Sequence, residues 1–241
     1  MMVRNNSRQA LADQRIKNFL LYKKKIHKDS TCCKILGVLY PDMELSIRQI
    51  SSYIDKPYIY AKKIILQMHS DGYLHNSNGK KYNRKYCLSS TGRWFAVCVQ
   101  LDYIPFQSLL ILSQTYCRIR KNPKSRASFY MISKFREMFD KSCDQDKSCA
   151  SAVYSNSNIS KSIKQLTDRN LVYWANPGFL KIAFTVFEFL QKYDDELLSL
   201  AEWCNKTFEK CKDEHLESLE IGRERKHLFE LTIHPSLKGP L

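Results

Sequence analysis

Glycine and proline are scarce, with seven of each in 241 residues. A chain so poor in turn formers is not collagen-like, linker-like or a many-turned β-sandwich, and the shortage favours helices. The phosphate-cradling and nucleophile motifs built on glycine are missing too: no P-loop, G-x-G-x-x-G or G-x-S-x-G occurs. Six histidines (His27, His69, His75, His215, His227 and His234) are scattered, with no H-E-x-x-H and no paired Cys/His spacing. No apolar run approaches the roughly 20 residues of a membrane helix. The segment MMVRNNSRQALADQR offers no apolar stretch before a small-residue cleavage site. An intracellular location is therefore expected, in cytoplasm or nucleoid, or in the nucleus of a eukaryotic cell. The nine cysteines include no C-x-x-C pair, so neither a zinc site nor a disulfide framework stands out. Cys143 and Cys149 bracket a polar loop where a shared metal or bond is conceivable; free thiols in a reducing compartment are the plainer reading. These absences lead us to expect a non-enzymatic chain with no catalytic residues, no metal site and no cofactor.

Positive charge, by contrast, is abundant: Lys+Arg 39 against Asp+Glu 24, a formal net charge of +15. It is unevenly placed. Residues 1–29 carry +6, 30–104 carry +5, 105–190 carry +7 and 191–241 carry −3. A basic body with a mildly acidic tail suggests a polyanion-binding part and an assembly part. Apolar residues make up 44% of the chain, enough to fill one large core or two small ones.

Segment 46–74 explains where part of that charge sits. Ser46 is a plausible N-cap; Ile47, Ile50 and Ile54 recur at helical spacing; Asp55-Lys56-Pro57 interrupts the run. Proline is well tolerated at the first position of a second helix, which runs to Asp71-Gly72, where glycine permits a left-handed cap. Tyr73-Leu74 then begins a strand, Asn78-Gly79 signals a turn, and Tyr86-Cys87-Leu88 returns. Helix, tight turn, helix and β-hairpin is the layout of a winged helix-turn-helix. Segment 155–183 repeats it at an offset of 98 residues, Ile163 matching Ile65, Gln165 matching Gln67, Leu166 matching Met68, and Leu171-Val172 matching Tyr73-Leu74. Ala175-Asn176-Pro177-Gly178 makes its turn and Phe179 to Phe184 its returning strand. Its first helix is expected over Gln107–Ile119 and its second over Tyr130–Phe139, followed by a polar insertion, Asp140–Tyr154. A repeat of this period indicates two related units.

Ser160-Lys161-Ser162-Ile163-Lys164-Gln165-Leu166-Thr167-Asp168-Arg169-Asn170-Leu171-Val172 resembles a recognition helix and the entry to a wing. Tyr86-Cys87-Leu88-Ser89-Ser90-Thr91-Gly92 is similar to the strand that follows one. Together they resemble the winged-helix superfamily, in particular MarR-type and related archaeal and bacterial regulators, over two units covering most of the chain. The Asp/Arg wing signature of MarR-type proteins is not evident in the second unit. The resemblance implies a mainly α fold with small β-hairpin wings and winged-helix units over 30–104 and 105–190; the residue pattern adds a basic N-terminal helix (1–29) and a C-terminal amphipathic helix and tail (191–241). It implies DNA binding by the third helix of each unit.

On helix 57–70, Ala61, Ile65 and Met68 share the core face, while Lys62, Lys63 and Gln67 lie away from it. Lysines suit phosphates and Gln67 suits adenine. Ile59 and Leu66 also fall on the outer side, where they either touch thymine methyls or pack on another helix. In the second copy Ile159, Ile163 and Leu166 form the core stripe, and Asn156, Ser157, Ser160, Lys161 and Lys164 face outward. The first wing adds Lys80, Lys81, Arg84 and Lys85, with Tyr82 and Tyr86 between the charges. Arg15, Lys17, Lys23, Lys24, Lys25 and Lys28 form a basic amphipathic helix suited to the DNA backbone or to an anionic membrane; the pattern after it favours DNA, with no membrane partner. From Phe187 to about Glu220 an apolar stripe (Leu190, Tyr193, Leu197, Leu200, Cys204, Phe208, Cys211) predicts one long helix, which either forms a homodimer or folds back on the units. Asp194-Asp195-Glu196 reads as a solvated acidic cluster. The expected function is binding of double-stranded DNA as a transcription regulator. Two alternatives remain: a plasmid or viral replication initiator, and, in another class, a winged-helix protein interaction scaffold.

Overall fold

Serine caps set where the first helices begin. Ser30 accepts the Cys33 N–H at 3.2 Å and opens α1, Thr31–Leu39. Ser46 opens α2, Ile47–Tyr53, in a reciprocal box: its hydroxyl accepts the Gln49 N–H at 3.4 Å, and Gln49 Oε1 accepts the Ser46 N–H at 2.9 Å. The expected break follows, with Asp55 in the left-handed region at φ 51° and Ser51 Oγ donating to the Lys56 carbonyl at 2.7 Å. Pro57 stands one position earlier than expected. It is the N-cap of α3, Tyr58–Ser70, because its ψ of 140° is still extended; its carbonyl accepts the Ala61 N–H. At the far end Tyr73 N–H donates to the Met68 carbonyl at 2.9 Å and Gly72 N–H to His69 at 3.1 Å, with Gly72 at φ 85°. This double closure satisfies two carbonyls that the helix leaves open, and it needs a left-handed residue in the middle.

Strands β1 (Leu45–Ser46), β2 (Leu74–Asn76) and β3 (Lys85–Leu88) form an antiparallel sheet in the order β1-β3-β2. The returning strand ends at Leu88, as Tyr86-Cys87-Leu88 suggested, whereas Ser89 to Gly92, which resembled its continuation, do not belong to it. Ser89 does not extend it but caps α4, Ser90–Gln100, accepting the Gly92 N–H at 3.0 Å while donating to the Gly72 carbonyl at 2.6 Å. The start of this helix also lies close to the end of α3: a Cβ on Gly92 would lie 2.1 Å from the Tyr73 carbonyl oxygen. Helix α4 is thereby fastened to the end of α3.

Among the described residues a similar order follows. Helix α5 spans Phe106–Lys121, slightly longer at both ends than predicted; then come β4 (Ala127–Ser128), α6 (Asn156–Asp168), β5 (Tyr173–Asn176) and β6 (Phe179–Lys181), the sheet ordered β4-β6-β5. Helix α6 occupies the positions of α3 shifted by 98. Its closure is the same as well, Leu171 N–H to the Leu166 carbonyl at 2.9 Å and Asn170 N–H to Thr167 at 2.9 Å, with Asn170 at φ 55° in place of glycine. The β5-β6 turn is shorter than that of β2-β3, and Gly178 takes φ 81° in it.

The C-terminal part differs from the single long helix expected. Helix α7 covers Phe184–Leu190, a 3-10 turn covers Gln191–Tyr193, and residues 194–206 resume as helix α8. Leu190, Tyr193, Leu197, Leu200 and Cys204 are buried within this chain. So the described part of the apolar stripe folds back on the chain's own units. Trp94 on α4 meets Trp203 at 5.6 Å between ring centroids and donates its indole N–H to Ser199 Oγ at 3.0 Å. Phe95 stacks on Phe106 at 4.6 Å, and Tyr116 on Phe187 at 4.8 Å. One hydrophobic cluster, from Ile35 to Cys204, runs through both halves. Burial there pushes the Cys204 thiol up to about 12 and raises that of Cys98 as well.

The acidic cluster is a correction too. Asp194 accepts from Tyr116 Oη at 2.7 Å and from Arg120 Nε at 2.9 Å, and the buried Glu196 lies 3.7 Å from Arg93 Nη1. Arg93 also pairs with Asp42. Asp195 alone stays exposed. Helix α8 thus clamps α4 and α5 with carboxylates that sequence spacing assigned to solvent. Desolvation first, and then the facing carboxylates, raise the phenols of Tyr116 and Tyr40, keeping both protonated donors.

The chain is a mainly helical protein with two small antiparallel sheets; its computed structural model describes residues 30–77, 84–124, 127–128 and 156–206. The N-terminal basic helix, the hairpin tip with Lys80, Lys81 and Tyr82, the Tyr130–Phe139 helix, the 140–154 insertion with Cys143 and Cys149, and the tail with Phe208 and Cys211 lie outside the described residues. Among the described residues no helix is long and apolar enough to cross a membrane.

Candidate nucleic-acid interface

Which side chains face outward follows from which are held in the core. Ala61, Ile65 and Met68 are buried under α3, as their spacing predicted. Lys62 and Lys63 are therefore exposed on the opposite side, together with Ile59 and Leu66, which are 82% and 41% accessible. Gln67 is exposed but not free: its amide donates to Asp71 Oδ1 at 2.8 Å, along its own helix. Between Tyr58 and Ser70 the helix carries no carboxylate. Its N-cap, Pro57, makes no side-chain bond to the first N–H groups, so the positive end of the helix dipole is uncovered by protein side chains at that cap.

Sequence reading overlooked the aromatic residues around that end. Tyr53 at the end of α2 and Tyr58 and Tyr60 at the start of α3 are all exposed. The signal was the YIYAKK run itself, in which tyrosine and lysine crowd the first turns of an otherwise core-facing helix.

Helix α6 presents a different surface on the same frame. Ile159, Ile163 and Leu166 are buried, Ser108 Oγ of α5 donates to the Ser162 carbonyl at 3.2 Å, and Ser160, Lys161 and Lys164 are exposed. Asn156 and Ser157 open the helix. Asp168, its last residue, is the first acidic one. Arg169 is turned away from any outward role, donating to the carbonyls of Asp102 at 3.2 Å and Gln165 at 3.3 Å.

The hairpins divide the other way. In the first, Arg84 and Lys85 are exposed at the base of the tip, whereas Tyr86 is buried, edge-on to His69 at 5.8 Å, and so packs the core. Cross-strand neighbours His75 and Cys87 bring Nε2 and Sγ to 3.0 Å. In the second hairpin the equivalent pair is Tyr173 opposite Lys181, and Tyr173, Trp174 and Phe179 are exposed. Among the described residues no group of three or more His, Cys, Asp or Glu side chains is placed to hold a metal ion.

The sequence-selected cations Lys62 and Lys63, Arg84 and Lys85, and Lys161 and Lys164 thus sit on α3, the first hairpin and α6, all exposed. Comparison with protein-family models, with curated proteins and with solved structures finds no match to this chain.

Proposed function

We propose that this protein binds double-stranded DNA through two winged helix-turn-helix units and acts as a transcription regulator. One observation carries the reading. The same helix, closure and hairpin recur 98 residues apart, and the outward faces of α3 and α6 bear lysines and no carboxylate before their C-terminal ends. A polyanion is the partner such faces attract, and a helix bearing cations on one side and held by its apolar residues on the other fits the major groove. Lysines on α3 and α6 neutralise phosphates, Arg84 and Lys85 extend the contact along the backbone, and the net charge of +15 speeds encounter. A common hydrophobic cluster and the α8 clamp support the two helices being presented together.

The exposed Tyr53, Ile59 and Leu66 favour a second reading, a protein interaction scaffold, because an apolar outward helix face often marks a protein contact. Affinity of the full chain for duplex DNA at two salt concentrations separates the two. The expected result is binding at low salt that falls steeply as salt rises, with a log-log slope of about −0.9 per phosphate neutralised. A chain that fails to bind any duplex at low salt sinks the DNA reading and leaves the scaffold.

A further inference from the structure

Ile59 and Leu66 are seven residues apart on α3, which at 100° per residue places them within about 20° of one face and about 10.5 Å apart along the axis. That distance is about three base-pair steps of 3.4 Å. Lys62 and Lys63 flank them on either side of the stripe, and no carboxylate interrupts it. Gln67, the amide on this face, is turned to Asp71. At the equivalent positions of α6 stand Ser157 and Lys164, so the apolar pair belongs to the first copy only.

We propose that α3 reads two thymine methyls about three base pairs apart, one with Ile59 and the other with Leu66. The inference rests on the duplex-binding reading above and names what that site selects. The C5-methyl of thymine is the apolar group a standard base pair shows in the major groove, whereas cytosine shows an N4 amino donor and guanine two acceptors. Against Ile59 or Leu66 those polar edges lose water and gain no partner, so the same contact that attracts thymine rejects the G·C pair. The flanking lysines supply the phosphate contacts that hold the helix at that depth. The two cations flanking the stripe, with no carboxylate between them, favour a polyanion with an apolar group in its groove over a neutral apolar protein surface.

The test selects duplexes from a random pool with the full chain and then replaces each thymine of the selected site with deoxyuridine, which lacks only the methyl. Two positions about three base pairs apart are expected to lose about fourfold in affinity each, the worth of one buried methyl-sized group. In Ile59→Ala one of these losses disappears, and in Leu66→Ala the other. Both side chains are exposed, so the variants fold. Binding that is intact but indifferent to deoxyuridine overturns the inference while leaving the duplex reading in place. Equal deoxyuridine losses in the wild-type and alanine chains also overturn it, as does unchanged DNA affinity in both variants, which takes the face out of the DNA contact. Absence of all duplex binding is distinct, since it removes the parent reading.

Discussion

Helices α3 and α6 share a frame and differ in what they show. Each is 13 residues long, each buries three apolar side chains at matching positions, and each closes through the same pair of backbone bonds around a left-handed residue. Outside that frame each helix keeps two exposed lysines, Lys62 and Lys63 on α3 and Lys161 and Lys164 on α6, but the surroundings of those lysines differ. The first puts Ile59 and Leu66 on its helix and Arg84 and Lys85 on its hairpin; the second puts Ser160, Lys161 and Lys164 on its helix and Tyr173, Trp174 and Phe179 on its hairpin. The frame repeats because backbone closure and core volume admit few residues, whereas the outward positions are constrained only by what they meet.

The fastening of α4 to the first copy is the point at which this comparison breaks most readily. Gly92→Ala drives a methyl into the Tyr73 carbonyl and is expected to destabilise the fold by about 3 kcal/mol in chemical denaturation. The residue at the matching place after the second N-cap is Val186, only partly buried, and Val186→Ala should cost far less. Next in size is the clamp. Asp194→Ala leaves Arg120 and the Tyr116 hydroxyl without their carboxylate and should cost about 2 kcal/mol; the same measurement on Asp195→Ala, an exposed neighbour, should show almost nothing.

The lysine pairs sharpen the comparison on the DNA side. Lys62→Ala with Lys63→Ala, and separately Lys161→Ala with Lys164→Ala, should each lower the salt slope of duplex binding by about 1.8 if both copies contact phosphate. A change confined to one pair identifies the single copy that reads the duplex. Smaller again are the closures: Gly72→Ala forces a Cβ into the left-handed region and should cost about 1 kcal/mol. Asn170→Gly relieves the same strain in the second copy and should add about 0.5 kcal/mol in thermal or denaturant unfolding.

Local patterns were legible from the chain. The Ser46 cap, the Asp55-Lys56-Pro57 break, the Gly72 closure, the repeat at 98 residues and the core stripes of α3 and α6 all rest on contacts within a few residues, and the structure shows them at or within one residue of the expected place. The candidate lysines of α3 and α6 are exposed for the same reason: helical spacing settles which side each takes. The end of β3 at Leu88 agrees with the Tyr86-Cys87-Leu88 reading, but helix α4 from Ser90 was not legible, since its glycine fits against a carbonyl 19 residues earlier in the chain. Nor was Asp194, whose partners on α5 lie more than 70 residues away. Gln67 looked available for a base edge, yet Asp71 lies one turn further on and takes its amide.

The sequence by itself determined the repeat of helix, closure and hairpin at 98 residues and the side of α3 and α6 on which each lysine stands, since periodicity and caps are properties of neighbouring residues. The tertiary structure decided where the apolar stripe of residues 190–204 goes. A long amphipathic helix serves a partner chain or its own chain equally well by pattern. Burial of Leu197 and Leu200 in the cluster that also holds Trp94, with Asp194 and Glu196 meeting arginines of α5 and α4, directs that stripe inward.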